Sequence, residues 1–395
     1  MAVGTQSATY VAGYSSAGAA VMRQDPLNGT VVWTAALGGS ANEYQPVGLA
    51  LGSNSTRLYA STPLPGGLFA VAADTGRVAW SALPRKSLTQ SAQGMVMLES
   101  ADASTSLVGV WTYRPGSAFT MVRDDGSHAT TLWEWTDPND CGEACGYQAF
   151  VAASSDLLDA STVVVLTVDD SRQDVGTAIA AVSAATGKVL WNASLEGAQA
   201  VSCAPMVLGD RVVMIRRIGE IESPQGPGPA PTVQHGYLSV MSLATGASIA
   251  EIVLPGQPGQ LAASHVPGQV FVTTFPWSVE PGLPRLVAAG VGDSPGIQWQ
   301  LVLGPNPVLA GPMIVSPTAV TLRALFQAES WPGTERLVVV DTPSDGRPAS
   351  VRGNWSFCDA FRTTAGYNPR QYVHEPVPTA SGLWASYGDL LGVFQ

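Results

Sequence analysis

The chain has 395 residues, of which 46% are hydrophobic and only 12% are charged. A chain of this composition can bury a large core, and it lacks the high charge and low hydrophobicity that keep a protein disordered. Because 19 basic residues stand against 30 acidic ones, the net charge is −11, and we expect no binding to nucleic acids.

The sequence shows neither a membrane-spanning segment nor the pattern of a secretory signal. No window approaches the roughly 18 consecutive apolar residues that a spanning helix requires. The first seven residues contain no basic region followed by an apolar one. We therefore expect no insertion of this chain into a membrane.

A short pattern recurs along the whole chain. Each copy has an apolar segment, a turn in which glycine follows a small or polar residue, and a second apolar segment that often ends in tryptophan. The turn glycines and tryptophans of the clearest copies are Gly29 with Trp33, Gly76 with Trp80, and Gly187 with Trp191. Looser copies turn at Gly126, at Gly246, near residue 294 and at Gly346.

The physical chemistry of the pattern predicts four strands in each copy. Asn-Gly and Asp-Gly favour tight hairpins because glycine adopts a positive φ without steric cost, and Thr-Gly serves a looser turn. The flanking segments are rich in Val, Leu and Ala, as expected for half-buried or fully buried strands. Further apolar strands precede each hairpin, for example at 162–166 and 269–273. Four antiparallel strands make one blade of a β-propeller.

The repeat length supports the same fold. The turn glycines from Gly29 to Gly246 follow one another at 47 to 61 residues, which is typical of a propeller blade rather than of a solenoid repeat. One blade cannot bury both of its faces, so neighbouring blades must stack. We therefore predict an all-β fold, a single propeller domain of four-stranded antiparallel blades over residues 1–395. The predicted repeats cover residues 1–37, 38–83, 84–136, 148–195, 200–254, 258–303, 308–355 and, as a partial copy, 373–395.

The partial copy leaves the number of blades open. It contains three apolar segments, at 376–380, 383–387 and 389–394, and it ends before a hairpin glycine. Either the eighth blade is short, or these strands complete the first of seven blades. Counting the repeats favours eight blades, with seven as the alternative.

The hairpin resembles the PQQ repeat of the quinoprotein alcohol dehydrogenase-like propellers. The family pattern is an apolar strand followed by Ala-Thr-Gly-Lys/Arg-Val-x-Trp. The segments that match it are 28–33, 68–80 and 179–191. Gly246 keeps the turn, but the tryptophan is missing there. The resemblance implies that Trp33, Trp80 and Trp191 pack between adjacent blades. It implies no single function, because the fold hosts enzymes, scaffolds and sensors.

The resemblance also gives an alternative function, that of a quinone-dependent alcohol or sugar dehydrogenase. Such relatives carry two adjacent cysteines against the cofactor PQQ, together with acidic and amide ligands for calcium. This sequence has no adjacent cysteines and no motif of a hydrolase nucleophile, a phosphate loop or a metalloprotease. We therefore predict no catalytic residue, no cofactor and no metal site. PQQ with calcium belongs to the alternative alone.

The four cysteines allow several disulfide arrangements. Cys141 and Cys145 are close in sequence, whereas Cys203 and Cys358 stand alone. In a secreted chain, a bridge between Cys141 and Cys145 would pin one loop, and a bridge between Cys203 and Cys358 would connect distant repeats. The alternative is four unpaired and mostly buried thiols.

Four asparagines lie in the Asn-x-Ser/Thr motif of N-glycosylation, namely Asn28, Asn54, Asn192 and Asn354. This number exceeds what the serine and threonine content predicts by chance, although fortuitous motifs in a Ser/Thr-rich chain remain the alternative. Together with the cysteines, the motifs favour an extracellular or secretory-pathway location, with the cytoplasm as the alternative.

Two segments are longer than a blade connection needs: the Pro/Gly-rich segment 218–236 and the aromatic segment 353–373. Recognition usually lies on such loops of a rigid scaffold. We predict a non-catalytic propeller that binds a protein partner or serves as an assembly scaffold, as the lumenal or extracellular part of a larger protein. The sequence does not identify the partner or the oligomeric state.

Overall fold

A computed structural model gives the fold of the chain. The residues that it describes are 2–5, 8–15, 18–25, 27–38, 48–52, 55–62, 67–82, 95–102, 104–114, 116–136, 147–170, 177–195, 198–199, 203–218, 235–275, 283–303, 307–309, 313–326, 334–342, 349–356, 373–379, 382–387 and 390–394. Within these ranges the regular structure consists of β-strands, and no helix occurs. The chain divides into two compact units.

The first unit comprises Met1–Val168, Ala178–Asn192 and Asn368–Gln395. Its first sheet contains β1 (Ala2–Thr5), β2 (Ala8–Ser15), β3 (Gly18–Gln24) and β4 (Val31–Gly38). The second contains β5 (Gly48–Leu51), β6 (Arg57–Thr62), β7 (Gly67–Ala72) and β8 (Val78–Ala82). The third contains β9 (Met95–Glu99), β10 (Ser106–Arg114), β11 (Gly116–Asp124) and β12 (Ala129–Thr136).

Two more sheets lie wholly or mainly in the first unit. The fourth contains β13 (Tyr147–Ala153), β14 (Val163–Asp170), β15 (Thr177–Ser183) and β16 (Val189–Leu195). The C-terminal sheet has three strands, which in chain order are β31 (Val373–Thr379), β32 (Gly382–Tyr387) and β33 (Leu390–Phe394). These three strands pair with one another and not with β1, so the C-terminal residues do not complete the first sheet.

The second unit comprises Asp169–Thr177 and Ala193–Tyr367. The fifth sheet contains β17 (Ala198–Gln199), β18 (Met206–Leu208), β19 (Arg211–Ile218), β20 (His235–Ser242) and β21 (Ser248–Leu254). The sixth contains β22 (Gln257–Ala263), β23 (Gln269–Phe275), β24 (Arg285–Gly290) and β25 (Gly296–Val302). The seventh contains β26 (Pro307–Leu309), β27 (Ile314–Val315), β28 (Ala319–Phe326), β29 (Thr334–Asp341) and β30 (Ser350–Ser356).

Each sheet takes its strands from one stretch of the sequence. The paired strands are antiparallel and follow chain order, so one edge of the sheet carries the first strand and the other edge the last. In the fifth and seventh sheets, two short strands share the place of the first strand. The predicted all-β fold of four-stranded antiparallel sheets is confirmed. The described residues form eight antiparallel sheets, of which five have four strands, two have five and the C-terminal one has three; the number of blades stays a prediction.

The turns between third and fourth strands repeat one geometry. Gly29, Gly76, Gly187 and Gly246 have φ values between 70° and 73°, and each glycine amide donates to the carbonyl oxygen four residues earlier. The Asn-Gly turn at Gly29 therefore has the same geometry as the Thr-Gly turns rather than a tighter one. The register of the strand pair shifts beyond the turn, for example between Ala70 and Val71, where Ala79 has no residue directly opposite.

The cores lie between the faces of neighbouring sheets. In the first unit, Val21 of the first sheet packs with Leu58 of the second. In the second unit, Ile215 of the fifth sheet packs with Val272 of the sixth. Alanine, valine and leucine fill the first of these clusters, and valine, isoleucine and leucine fill the second, because strands covered on both faces favour continuous apolar runs.

Candidate functional site

Tryptophans on the last strands join neighbouring sheets of the first unit. Trp33 on β4 donates its indole N–H to the carbonyl oxygen of Ala73 at 3.3 Å, and its ring lies over Gly76 in the turn of the second sheet. A Cβ on Gly76 would come within 2.6 Å of the Trp33 ring. The glycine is therefore required twice, for its positive φ and for the approach of the tryptophan.

A tryptophan outside the predicted set makes the same contact. Trp133 on β12 donates its indole N–H to the carbonyl oxygen of Ala184 at 2.8 Å, and its ring covers Gly187. We predicted Gly187 as a turn residue but did not predict Trp133 as its partner. Trp133 follows Gly126 by seven residues, whereas the matching tryptophans follow their glycines by four, so the family pattern does not detect it.

The indole N–H of Trp80 donates its hydrogen bond to a carboxylate rather than to a backbone carbonyl oxygen. Its indole N–H donates to Asp124 Oδ1 at 2.8 Å, at the end of β11 in the third sheet. Asp124 also accepts hydrogen bonds from Arg57 Nη1, from the Tyr59 hydroxyl at 2.7 Å and from the Gly126 amide at 2.7 Å. The Asp124 side chain is only 5% exposed. This cluster, which we call the Asp124 hub, clamps the second sheet to the third.

The electrostatics of the hub favour the charged carboxylate. Burial would raise the pKa of Asp124, but the hydrogen bonds from Tyr59, Trp80, the Gly126 amide and Arg57 outweigh burial, and the pKa is lowered from its usual value. Burial and the neighbouring carboxylate raise the pKa of Tyr59, so this hydroxyl stays a donor. The hydrogen bonds that Asp124 accepts from the second sheet make the hub a structural clamp between the second and third sheets.

The last strands themselves are the most exposed apolar part of the described chain. Large apolar side chains at least a third exposed on these strands are Val31, Val32, Val78, Leu132, Val189, Leu190, Ile249, Val253, Ile297, Val302 and Val351. Each of these strands is the last of its sheet, and no described strand pairs with its outer edge. Free backbone groups beside exposed apolar residues form a template for strand addition. We call these strands the outer strands.

A sequence model of the family described as outer membrane protein assembly factor BamB, a PQQ-repeat family, matches residues 17–226, more than half of the chain. The chain belongs to this PQQ-repeat family. The resemblance seen in the hairpins is thus confirmed. None of the curated proteins compared with the sequence matches it.

Solved propellers show the same fold as this PQQ-repeat protein. The C-terminal WD40 domain of Sif2 has 8% identity and a TM-score of 0.61, covering 98% of this chain and 91% of that one. The propeller of Dos1 has 9% identity and a TM-score of 0.58, covering 96% and 86%. Quinohemoprotein alcohol dehydrogenase from Comamonas testosteroni has 13% identity and a TM-score of 0.51, covering 86% and 70%. At such identities the similarity shows the fold alone.

Of the other predicted tryptophan and glycine positions, Trp191 is buried on β16, and Gly246 lies in the turn before β21. Among the described residues, no cluster of three or more histidine, cysteine or acidic side chains is arranged to hold a metal ion. In the same residues, no helix has the length and hydrophobicity needed to cross a bilayer.

The structure describes one of the four cysteines, Cys203. Cys203 is a free thiol that packs against the core between the fifth and sixth sheets, and burial raises its pKa to about 12. Its expected partner Cys358, together with Cys141 and Cys145, lies outside the described residues. The sequence around Cys203, Val201-Ser-Cys203-Ala, is apolar, and this alone does not distinguish a thiol buried in a core from a cysteine in a disulfide.

The structure describes all three residues of two glycosylation motifs, those at Asn28 and Asn192. Asn28 is exposed in the turn before β4, and Asn192 is exposed on β16. The backbone of Asn354 lies in β30, and Asn54 is outside the described residues. Most of the segments 218–236 and 353–373, where we predicted partner contacts, also falls outside the described residues.

Proposed function

We propose that this PQQ-repeat propeller is a non-catalytic scaffold that binds a protein partner. The observation that carries the proposal is the row of exposed apolar residues on the outer strands, whose edges no described strand covers. Soluble proteins normally protect such edges with charged residues, lysine above all. This chain contains two lysines, Lys86 and Lys188. The match to a family described as an assembly factor supports a scaffold role.

The outer strands of the second unit are the best candidates for the binding surface. Ile249 and Val253 are exposed on β21, and Ile297 and Val302 are exposed on β25. Neither β21 nor β25 contains a glycosylation motif. An extended partner segment added to β25 would gain main-chain hydrogen bonds from the edge and apolar contacts from its side chains.

We place this function in an extracellular or secretory-lumen setting, as part of a larger protein. The four glycosylation motifs support this setting. The alternative activity, a quinone-dependent dehydrogenase, has a fold relative in the Comamonas enzyme, but similarity of fold does not transfer the activity.

The test is a binding experiment with defined variants. Complexes are purified from the native host with the wild-type chain, with the double variant Ile297→Lys/Val302→Lys, and with the control Val266→Lys. Val266 is exposed in the turn between β22 and β23 of the same sheet, away from the outer strand. We expect one protein in a fixed ratio with the wild type and the control, and its loss with the double variant. Equal recovery by all three chains would contradict the assignment of the surface.

A further inference from the structure

Two outer strands are less protected than the others. Strand β4 exposes Val31 and Val32, and strand β16 exposes Val189 and Leu190. In each pair the two residues are consecutive, so both faces of the strand are open at that point. Neither strand contains a charged residue. Short uncharged segments of high β-propensity with a free edge are prone to pair with other chains.

The other outer strands keep an edge that no described strand covers, but most of them carry or contact a charge, which disfavours pairing between copies of this chain. Glu134 on β12, Glu251 on β21 and Arg352 on β30 each place a charged residue within the strand. Strand β25 has no charge of its own, but the guanidinium of Arg285 donates to Gln300 on it at 2.6 Å. Strand β8 has five residues and exposes Val78 only marginally. In the sequence, β16 is flanked by Lys188 before the strand and Glu196 after it.

Glycosylation motifs coincide with the two unprotected strands. Asn28 lies three residues before Val31, and Asn192 lies two residues after Leu190. At roughly 3.3 Å per strand residue, each asparagine is within about 10 Å of the exposed apolar pair. We propose that Asn28 and Asn192 carry N-linked glycans and that these glycans cover the edges of β4 and β16.

The geometry of both sites suits the modification. The Asn28 side-chain oxygen accepts a hydrogen bond from the Thr30 amide at 2.8 Å, which leaves the amide nitrogen, the atom that bonds to the sugar, for the reaction. Thr30 is exposed, as are Asn192 and the hydroxyl-bearing Ser194 on β16. Both motifs therefore present the asparagine and the hydroxyl residue at the surface of the folded chain.

The reaction needs an oligosaccharide donor linked to a polyprenyl diphosphate. The asparagine amide nitrogen forms a bond to C1 of the first sugar, the bond between C1 and the diphosphate oxygen breaks, the nitrogen loses one proton, and the polyprenyl diphosphate leaves. The sugars add a hydrated, uncharged bulk beside the strand, which blocks the approach of a second strand to its edge.

The inference rests on the secretory setting of the proposed function, but it does not depend on the binding of a partner. It is tested on the full chain recovered from the secretory fraction of the native host. Treatment with peptide N-glycosidase in ¹⁸O water, followed by peptide mass spectrometry, marks each glycosylated asparagine as labelled aspartate. We expect labelled aspartate at 28 and 192. Unmodified asparagine at both positions would overturn the inference.

The covering role has its own test, for which the folded glycoprotein is deglycosylated and its self-association is measured by analytical ultracentrifugation. We expect association at a roughly tenfold lower concentration, equivalent to about 1.4 kcal/mol. The variants Thr30→Ala and Ser194→Ala should show the same change, whereas the control Thr34→Ala, exposed on β4 outside the motif, should not.

Replacing Val32 and Leu190 by lysine should restore the monomer without glycans. Unchanged association after deglycosylation would refute the covering role. Partner binding by unglycosylated chain tests the scaffold separately.

Discussion

Replacing Asp124 by alanine is the sharpest test of how neighbouring sheets are held together. The substitution removes the acceptor for Arg57, Tyr59 and Trp80 while these donors stay buried or half-buried. A buried donor left without a partner costs about 1–3 kcal/mol, and breaking a buried ion pair by removing one partner costs about 3–5 kcal/mol. Because these costs overlap, we expect Asp124→Ala to lower the free energy of unfolding by about 3–5 kcal/mol.

The loss should be local to the second and third sheets, and hydrogen exchange measured by mass spectrometry resolves it there. Amides of β8 and β11 should exchange faster in Asp124→Ala than in the wild type. The control is Asp293→Ala, which removes a fully exposed carboxylate from Arg211 in the second unit and should leave exchange unchanged. If Asp124→Ala lowers the free energy of unfolding by less than about 1 kcal/mol, the reasoning is refuted, because the hub would then contribute no more than a surface ion pair.

The hub also predicts a dependence on pH. Since the pKa of Asp124 is lowered in the folded chain, its contribution to stability is complete above the unfolded pKa of about 3.9 and is lost as the pH falls through the lower folded pKa. The variant Asp124→Asn should lack this part of the acid destabilisation. Equal pH dependence of the two proteins between about pH 5 and pH 2 would contradict the lowered pKa.

The other contacts give predictions of their own. Gly187→Ala should destabilise more than Gly126→Ala in urea unfolding, because both glycines have a positive φ but only Gly187 lies under a tryptophan; equal losses would show that the ring contact is unimportant. Trp133→Phe should cost about 1 kcal/mol, since it removes the hydrogen bond to the Ala184 carbonyl oxygen; an unchanged urea midpoint would contradict this. Cys203 should react with a thiol reagent at pH 8 only after unfolding, because burial raises its pKa to about 12; rapid reaction of the native chain would show that the thiol is accessible.

The repeat pattern predicted the fold because its signals are local. A glycine with positive φ and a strand of Val, Leu and Ala can be recognised within a dozen residues, and Gly29, Gly76, Gly187 and Gly246 lie in turns of one geometry. The family pattern extends this prediction, since it specifies the tryptophan at a fixed distance from the glycine. Where that distance differs, as for Trp133, the sequence pattern fails although the contact is the same.

The contacts between repeats could not be predicted in the same way. The side-chain donors of the Asp124 hub come from residues 44 to 67 positions away, and nothing in the Asp-Asp-Gly turn distinguishes Asp124 from Asp125. The exposure of the outer strands was also missed. A Val-Val-Trp run predicts burial, but Val32 is 55% exposed because β4 is the last strand of its sheet.

Native mass spectrometry of the protein isolated from its own host tests the central claim most directly, because one spectrum reports both protein partners and small cofactors. The account predicts the mass of this chain together with a protein partner, and no mass added by a quinone and calcium. A chain that carries PQQ with calcium and no protein partner would contradict the scaffold function and would establish the dehydrogenase alternative.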